Sequence, residues 1–118
     1  MKEVWFEKQF KGMIISKQLT RTFRELPEQG KNNAYAVGEE IWLRIKDSQG
    51  NFIPEQGIVK IINVELKQLN SLTGKDFANS DADSKENLKE KLKKYYKKEY
   101  SGSEKIRVID FDYVILSN

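Results

Sequence analysis

The chain has 118 residues, of which 38% are hydrophobic and 33% are charged, with no cysteine, no histidine and a formal net charge of +3. The missing cysteine and histidine exclude a disulfide framework and Ser-His or Cys-His nucleophiles, and they remove the commonest zinc ligands. No apolar run has membrane-spanning length, and the charged start MKEVWFEKQF does not look like a signal peptide. The sequence predicts a single cytoplasmic domain over residues 1–118, with no metal, no cofactor and no membrane partner.

The first third of the chain alternates between strand and helix patterns. Residues 4–6 (VWF) form an apolar run typical of a short strand, and apolar residues at helical spacing predict a helix over 7–17. A second strand is expected over residues 19–25. Residues 26–34 contain proline, glycine and two adjacent asparagines, which predict a loop long enough to lie over a cleft as a flap.

The remainder of the chain predicts three more strands and two helices. Residues 39–46 (EEIWLRIK) alternate apolar and polar, so one face of this strand is expected to be buried. A turn at 47–51 leads to a stretch that Pro54 confines to an edge or a bend, and then to a strand over 57–66. After a short helical turn near 75–78, a helix from an Asp83 N-cap to about residue 99 precedes the last strand, 106–116.

The second strand carries a row of polar side chains on one face. Side chains alternate with period two along a strand, so Thr20, Thr22 and Arg24 share one face. The opposite face carries Leu19, Arg21 and Phe23. Arginine offers a fixed fork of donors that suits phosphate or carboxylate. The row therefore indicates a binding site, with the solvated face of an edge strand as the alternative.

The order of these segments resembles a known family. A helix bearing Phe10 and Ile14 is followed by the Thr-x-Thr-x-Arg strand, a VGEEIWL strand from Val37, a Leu72-Thr73 segment with a helix, and a closing IDF strand. Together these features resemble the ASCH domain, which belongs to the PUA-like superfamily of RNA-associated β-barrels. The resemblance implies a mainly β, or α+β, fold: a PUA-like mixed β-barrel with two or three helices.

The resemblance also implies an enzymatic alternative. Small bacterial ASCH proteins include amidohydrolases that deacetylate acetylcytidine with a lysine, a threonine nucleophile and an acidic residue. The threonine of that set matches Thr22 and the acidic residue matches Asp81, but the lysine position is Leu19, which cannot take a proton. Lys17, two residues earlier, would have to reach in from the helix end. The departure at Leu19 argues against enzymatic activity.

The function favoured by these features is an RNA- or nucleotide-binding module whose partner is RNA, a nucleotide or a nucleoside. The ligand would lie in a cleft between the barrel and the loop of residues 26–34, where Arg24 holds a phosphate or a base edge. Lys17 and Arg21 would add a positive field. The expected ligand-binding residues are Thr20, Thr22, Arg24, Arg21 and Tyr35.

Two other functions remain as alternatives: hydrolysis of an N-acylated nucleoside with Thr22, Asp81 and Lys17 as catalytic residues, and a structural or protein-interaction domain without a ligand. The lysines of the helix over 83–99 predict either a solvated face or a track for phosphates. Trp5 is expected in the core. Pro54 and the hairpin edge favour a monomer, because they protect the sheet from pairing with a second chain.

Overall fold

The computed structural model describes the backbone of residues 1–117, and the side chains of all of these except Glu55, Gln56, Leu116 and Ser117. Asn118, the last residue of the predicted domain, lies outside the described residues. The strands are β1 (Glu3–Glu7), β2 (Arg21–Arg24), β3 (Glu40–Lys46), β4 (Phe52–Gln68) and β5 (Lys105–Ser117). The helices are α1 (Lys11–Ile15), α2 (Gly74–Phe77) and α3 (Lys85–Tyr96), with single 3₁₀ turns at Lys8–Phe10 and Leu69–Ser71.

The five strands form one mixed sheet in the order β1-β3-β4-β5-β2. β1 is parallel to β3, and the other three pairs are antiparallel. β3 shows the predicted alternation, because Ile41, Leu43 and Ile45 are buried while the residues between them are not. The stretch that contains Pro54 and the strand predicted over 57–66 form a single strand, β4. Phe52 pairs with β3 alone, and the register shifts between Arg44 and Lys46 of β3, in line with the edge or bend expected at Pro54.

Two predicted boundaries are corrected by the structure. The helix over 7–17 is shorter, since a 3₁₀ turn leads into α1 and the chain then turns at Lys17, whose φ is 63°. The N-cap of α3 is Ser84 rather than Asp83. The Ser84 hydroxyl accepts the Asn87 backbone N–H (3.1 Å), while the backbone N–H of Asp83 donates to the Asn87 side chain (2.9 Å). Either residue type can cap a helix. Here the Asn87 backbone N–H bonds to the Ser84 side chain, and the Asn87 side chain accepts the backbone N–H of Asp83, so serine is the cap.

The α+β class is confirmed, whereas a closed barrel is not, because β1 and β2 are the two edges of an open sheet. The Arg24 side chain of β2 crosses the gap and donates a hydrogen bond from Nη2 to the Trp5 carbonyl of β1 (2.7 Å). α3 covers part of the gap, since Tyr95 packs edge-on against Trp5 with ring centroids 5.0 Å apart. The opening between the two edge strands positions the site described below.

The buried apolar residues form two clusters. The first combines α1 with β1, β3 and β4, and includes Phe6, Ile14 and Leu19. The second joins β2 and β5 to α3, through Phe23 and Leu92 among others. Burial of this apolar area is the main stabilising term of the fold. None of the helices in the described part of the chain is long and apolar enough to cross a membrane.

Candidate functional site

A cavity of about 360 Å³ lies in the gap between the sheet edges, between the two apolar clusters. This is within the size range of small-molecule sites, which are concave and largely apolar with a few converging polar groups. Residues of β1, β2 and α3 line it, together with Lys31 and Asn33 of the loop between β2 and β3. The loop predicted as a flap therefore does border the cavity.

A chain of hydrogen bonds runs along the inner side of the cavity. Arg24 Nε donates to the Thr22 hydroxyl oxygen (3.1 Å), and the Thr22 hydroxyl donates to Asp81 Oδ2 (2.7 Å). The Thr22 side chain is 0% exposed, so it lies beneath the cavity surface, whereas Arg24 and Asp81 line the cavity. The arrangement fixes the Arg24 guanidinium at the entrance to the gap.

Asp81 is held in an environment that disfavours its charge. Burial raises the pKa of the Asp81 carboxyl, and the charges of Arg24 and Lys91 and the Thr22 hydroxyl offset this only in part. Lys91 reaches from α3 and donates to the Asp81 backbone carbonyl, while its ammonium lies 4.7 Å from the centre of the Phe10 ring. A carboxyl group whose pKa is shifted by burial and by specific charged neighbours is a common feature of functional sites.

Aromatic side chains form one wall of the cavity, which we call the aromatic wall: Trp5, Phe6, Tyr35 and Tyr95. The Arg24 guanidinium carbon lies 5.5 Å from the Trp5 ring centre and 5.0 Å from that of Phe6, and the Lys46 ammonium lies 3.9 Å from Trp5. At these distances the rings attract the cations, and this cation–π interaction stabilises them at the cavity surface. Burial raises the pKa of the Tyr35 phenol, so this hydroxyl is neutral and donates to the Glu3 carbonyl (2.6 Å).

Arg107 of β5 ties the loop to the floor of the cavity. Its Nε donates to the Glu25 carbonyl (2.7 Å) and its Nη1 to the Asn33 carbonyl (2.6 Å). One side chain therefore holds both ends of the segment 25–33, which is the first part of the loop between β2 and β3. The guanidinium also lies 5.2 Å from the centre of the Tyr35 ring. Arg107 is only 3% exposed and lines the cavity.

The structure brings four of the residues predicted for the site to one place. Arg24, Tyr35 and Asp81 line the cavity, and Thr22 supports Arg24 and Asp81 from below. Leu19, at the position where the amidohydrolases would carry lysine, is 1% exposed and belongs to the first apolar cluster. Among the described residues, the hydrogen bonds of the Thr22 hydroxyl are with Asp81 and Arg24, and none is with an amine.

Three other predicted site residues lie elsewhere. Thr20 precedes β2, and its backbone N–H donates to the Asn79 carbonyl (2.9 Å). Lys17 is exposed and pairs with Asp112 (3.2 Å). The Arg21 guanidinium forks onto Asp110, with Nε 2.6 Å from Oδ1 and Nη2 3.1 Å from Oδ2. Among the cavity-lining residues that the structure describes, none of these three is present.

Sequence reasoning missed three residues of the site. Arg107 lies between Ile106 and Val108 in an apolar strand, and a charged residue at such a position was the available sequence signal. Lys91 was one of many lysines on its helix, and its spacing of three and four residues from Leu88 and Tyr95 on α3 was the available signal. Trp5, expected in the core, is half-buried at the cavity. The described residues contain no group of three or more acidic side chains that could hold a metal ion.

Solved structures with the same overall topology extend over nearly the whole chain. An ASCH domain from Lactobacillus crispatus JV V101 has a TM-score of 0.61 at 15% identity, covering 88% of this chain and 69% of its own. This chain has an ASCH-like fold. Protein EF3133 from Enterococcus faecalis V583, of family DUF984, shares it with a TM-score of 0.68 at 18% identity, covering 100% of this chain and 83% of its own.

A third neighbour, hypothetical protein PH0355, has a TM-score of 0.61 to this chain at 15% identity, and the match covers 97% of this chain and 100% of that protein. At these identities the likeness concerns the fold. No family model matches the sequence, and no curated protein matches it. The resemblance to the ASCH domain seen in the sequence is thereby confirmed at the level of the three-dimensional fold.

Proposed function

We propose that this ASCH-like protein binds RNA, a nucleotide or a nucleoside, and that the cavity between β1 and β2 receives one nucleobase. The observation that carries the proposal is the composition of the cavity, which combines the aromatic wall with cations held at its surface. Aromatic rings and guanidinium planes stack on unpaired bases, and donors such as Arg24 reach base edges or phosphates. Five cationic and three acidic residues line the cavity, which favours an electron-rich or anionic ligand.

The site differs from the predicted one in its membership. Arg24 and Tyr35 remain ligand contacts in the proposal, and Thr22 is reassigned from contact to support because its side chain is fully buried. Trp5 and Arg107 are added. Arg21, Lys17 and Thr20 are left out, because none of them is among the residues that line the cavity in the described part of the chain.

The experiment is a thermal-shift screen of the four ribonucleosides, their 5′-monophosphates and short single-stranded RNAs. A ligand that binds the native state raises its melting temperature. At a ligand concentration one hundred times Kd, the free energy of unfolding increases by about 2.7 kcal/mol. Arg24→Met should remove the shift, and Lys60→Gln should keep it. Lys60 is an exposed lysine of β4, so this control loses the same charge without touching the cavity. A screen without any shift would favour a structural or protein-interaction domain.

The amidohydrolase alternative draws support from one contact, the 2.7 Å hydrogen bond from the Thr22 hydroxyl to Asp81. A carboxylate can accept the proton of a hydroxyl nucleophile. Two features weigh against it: the hydroxyl is fully buried, and the described residues supply no amine bonded to it. Incubation with N4-acetylcytidine tests it directly. Release of cytidine by the wild type but not by Thr22→Val would establish the reaction, and no release from either protein would discard it.

A further inference from the structure

Among the described residues, Arg24 and Arg107 line the cavity without a carboxylate in an ion pair with either of them. Arg107 donates to the carbonyls of Glu25 and Asn33, and Arg24 donates to the Thr22 hydroxyl and the Trp5 carbonyl. Within the part of the chain that the structure describes, the ion pairs of 4.0 Å or less include neither guanidinium. The Asp81 carboxyl is hydrogen-bonded to the Thr22 hydroxyl rather than to Arg24, and the charge of Arg24 acts on it through space.

A partly or fully buried guanidinium without an ion-paired carboxylate is unfavourable for the folded protein. Burial of a charge is costly unless a counter-charge or a full set of hydrogen bonds compensates, and neutral carbonyls compensate only in part. Arg24 and Arg107 are cross-strand partners in the register of β2 with β5. Burial lowers the pKa of Arg107, and the positive charge of Arg24 acts in the same direction. Arginine nonetheless keeps its proton in proteins. The pair is therefore a standing positive charge that an anion in the cavity would relieve.

The lysines around the cavity are less available for this task. Lys31 pairs with Glu28 (3.1 Å), Lys46 lies over the Trp5 ring, and Lys91 donates to the Asp81 carbonyl. Arginine also matches the oxygens of a phosphate better than lysine does, because its fork donates two parallel hydrogen bonds. The two arginines are consequently the groups best placed to receive a phosphate.

We propose that Arg24 and Arg107 form an anion subsite, and that the ligand of this cavity is a nucleoside phosphate rather than a nucleoside. Its phosphate lies between the two guanidiniums while its base meets the aromatic wall. The inference rests on the proposed function and adds the chemical class of the ligand. Because Arg107 already holds both ends of the loop over residues 25–33, phosphate binding also fixes the loop over the cavity.

Isothermal titration calorimetry of each ribonucleoside against its own 5′-monophosphate tests the subsite. At least one monophosphate should bind tenfold or more tightly than its nucleoside, and this advantage should shrink between 50 mM and 200 mM salt because it is electrostatic. A dinucleotide containing the same base distinguishes the source of the phosphate. Preference for the monophosphate assigns the subsite to a terminal phosphate, and preference for the dinucleotide assigns it to the phosphodiester of RNA.

Two variants separate the subsite from its structural setting. Arg107→Gln should lose most of the phosphate advantage, whereas Lys60→Gln, with the same loss of charge, should keep it. Arg107→Gln also weakens the attachment of the loop and can fail to fold, so Arg107→Lys is measured as well. This variant retains the charge on a single ammonium group and should retain part of the tighter binding of the monophosphate. The comparison of nucleoside with monophosphate in the wild type requires neither variant.

The failure of the inference is distinct from the failure of the proposed function. A nucleoside that binds as tightly as its monophosphate would overturn the anion subsite and leave nucleobase binding intact. An unchanged phosphate advantage in a folded Arg107→Gln would overturn the assignment to Arg107. Absence of binding by every nucleoside, monophosphate and dinucleotide would overturn both proposals together.

Discussion

Arg21 and Arg24 lie three residues apart on the same short strand, yet their surroundings are opposite. Arg21 forks onto Asp110, and its Nη1 lies 3.9 Å from Asp76, which Lys67 also contacts at 2.8 Å. Arg24 faces the cavity, where it donates hydrogen bonds to a hydroxyl and a carbonyl oxygen and lies against two aromatic rings. One arginine is neutralised within the protein, and the other leaves its charge to be matched from outside.

The acidic residues of the two regions differ in the same way. Burial opposes the ionisation of Asp76, but the hydrogen bonds from Lys67 and from the Thr73 backbone N–H outweigh it, so the pKa of Asp76 is lowered. At Asp81 burial prevails, and the pKa is raised. A region that satisfies its own charges supports the fold, and a region that leaves them unsatisfied is suited to a ligand. The difference also explains why residue type alone, arginine on a strand, does not identify the site.

The largest expected effect on stability is at Arg21. Arg21→Met removes the forked pair with Asp110 and leaves a partly buried carboxylate without its partner, which should lower the free energy of unfolding by about 2 kcal/mol. Urea denaturation measures this loss. Ligand binding by the folded variant should be unchanged. A variant of normal stability with weakened binding would reverse the roles assigned to the two arginines.

A smaller loss is expected at Thr22. Thr22→Val keeps the shape of the side chain but removes the hydroxyl that joins Arg24 to Asp81, leaving a buried acceptor and a donor unsatisfied. The expected cost is about 1–2 kcal/mol of unfolding free energy. Thr22→Ser, which retains the hydroxyl, is the matched control and should lose less. Equal losses in the two variants would assign the effect to packing instead of to the hydrogen bonds.

Arg24→Met should cost less still in the absence of ligand, about 1 kcal/mol or below. The variant loses two hydrogen bonds to uncharged oxygens, but it also relieves the repulsion between Arg24 and Arg107. Urea denaturation of Arg24→Met and Arg21→Met under the same conditions measures the difference between their free energies of unfolding. If both variants lose the same stability, Arg24 is as structural as Arg21 and the cavity loses its main cationic contact.

The smallest effect is a change in pH dependence at Asp81. A raised pKa in the folded state means that Asp81 contributes most to stability when protonated, and that this contribution is lost as the pH rises from about 4 through the folded pKa. Asp81→Asn carries no such titration. The stability of the variant relative to the wild type should therefore increase as the pH rises above about 4, the pKa of an aspartate in the unfolded chain. A relative stability that falls with pH would show that Arg24 and Thr22 outweigh burial.

Local patterns were enough to predict most elements of the fold. The alternation along β3 and the polar turn at 47–51 specify a buried face and a hairpin, because side-chain direction follows the backbone period. The choice between adjacent N-caps at Asp83 and Ser84 was beyond local patterns, since both side chains can accept the same hydrogen bonds. Closure of a barrel was beyond them as well, because it depends on whether β1 and β2 meet, and these two strands follow each other in the chain but lie at opposite edges of the sheet.

The candidate site was predictable to a similar extent. Period two along β2, together with the resemblance to the ASCH domain, singled out Thr22, Arg24 and Asp81. The reassignment of Arg21 to the fold could not be predicted, because the partner that neutralises it, Asp110, lies on another strand and becomes a neighbour only through the register of β2 with β5. Arg107 was missed for the same reason, since its contacts with residues 25–33 cross the structure.

The sequence by itself determined the α+β class, the position of the flap loop and a polar strand bearing two arginines. Those features follow from spacing and turn chemistry, which act over a few residues. Only the tertiary structure decided which arginine finds a carboxylate, because charge pairing depends on distances across strands rather than along them. It placed Arg21 among acids and Arg24 with Arg107 in the gap between two sheet edges, where we propose that an anionic ligand matches their charge.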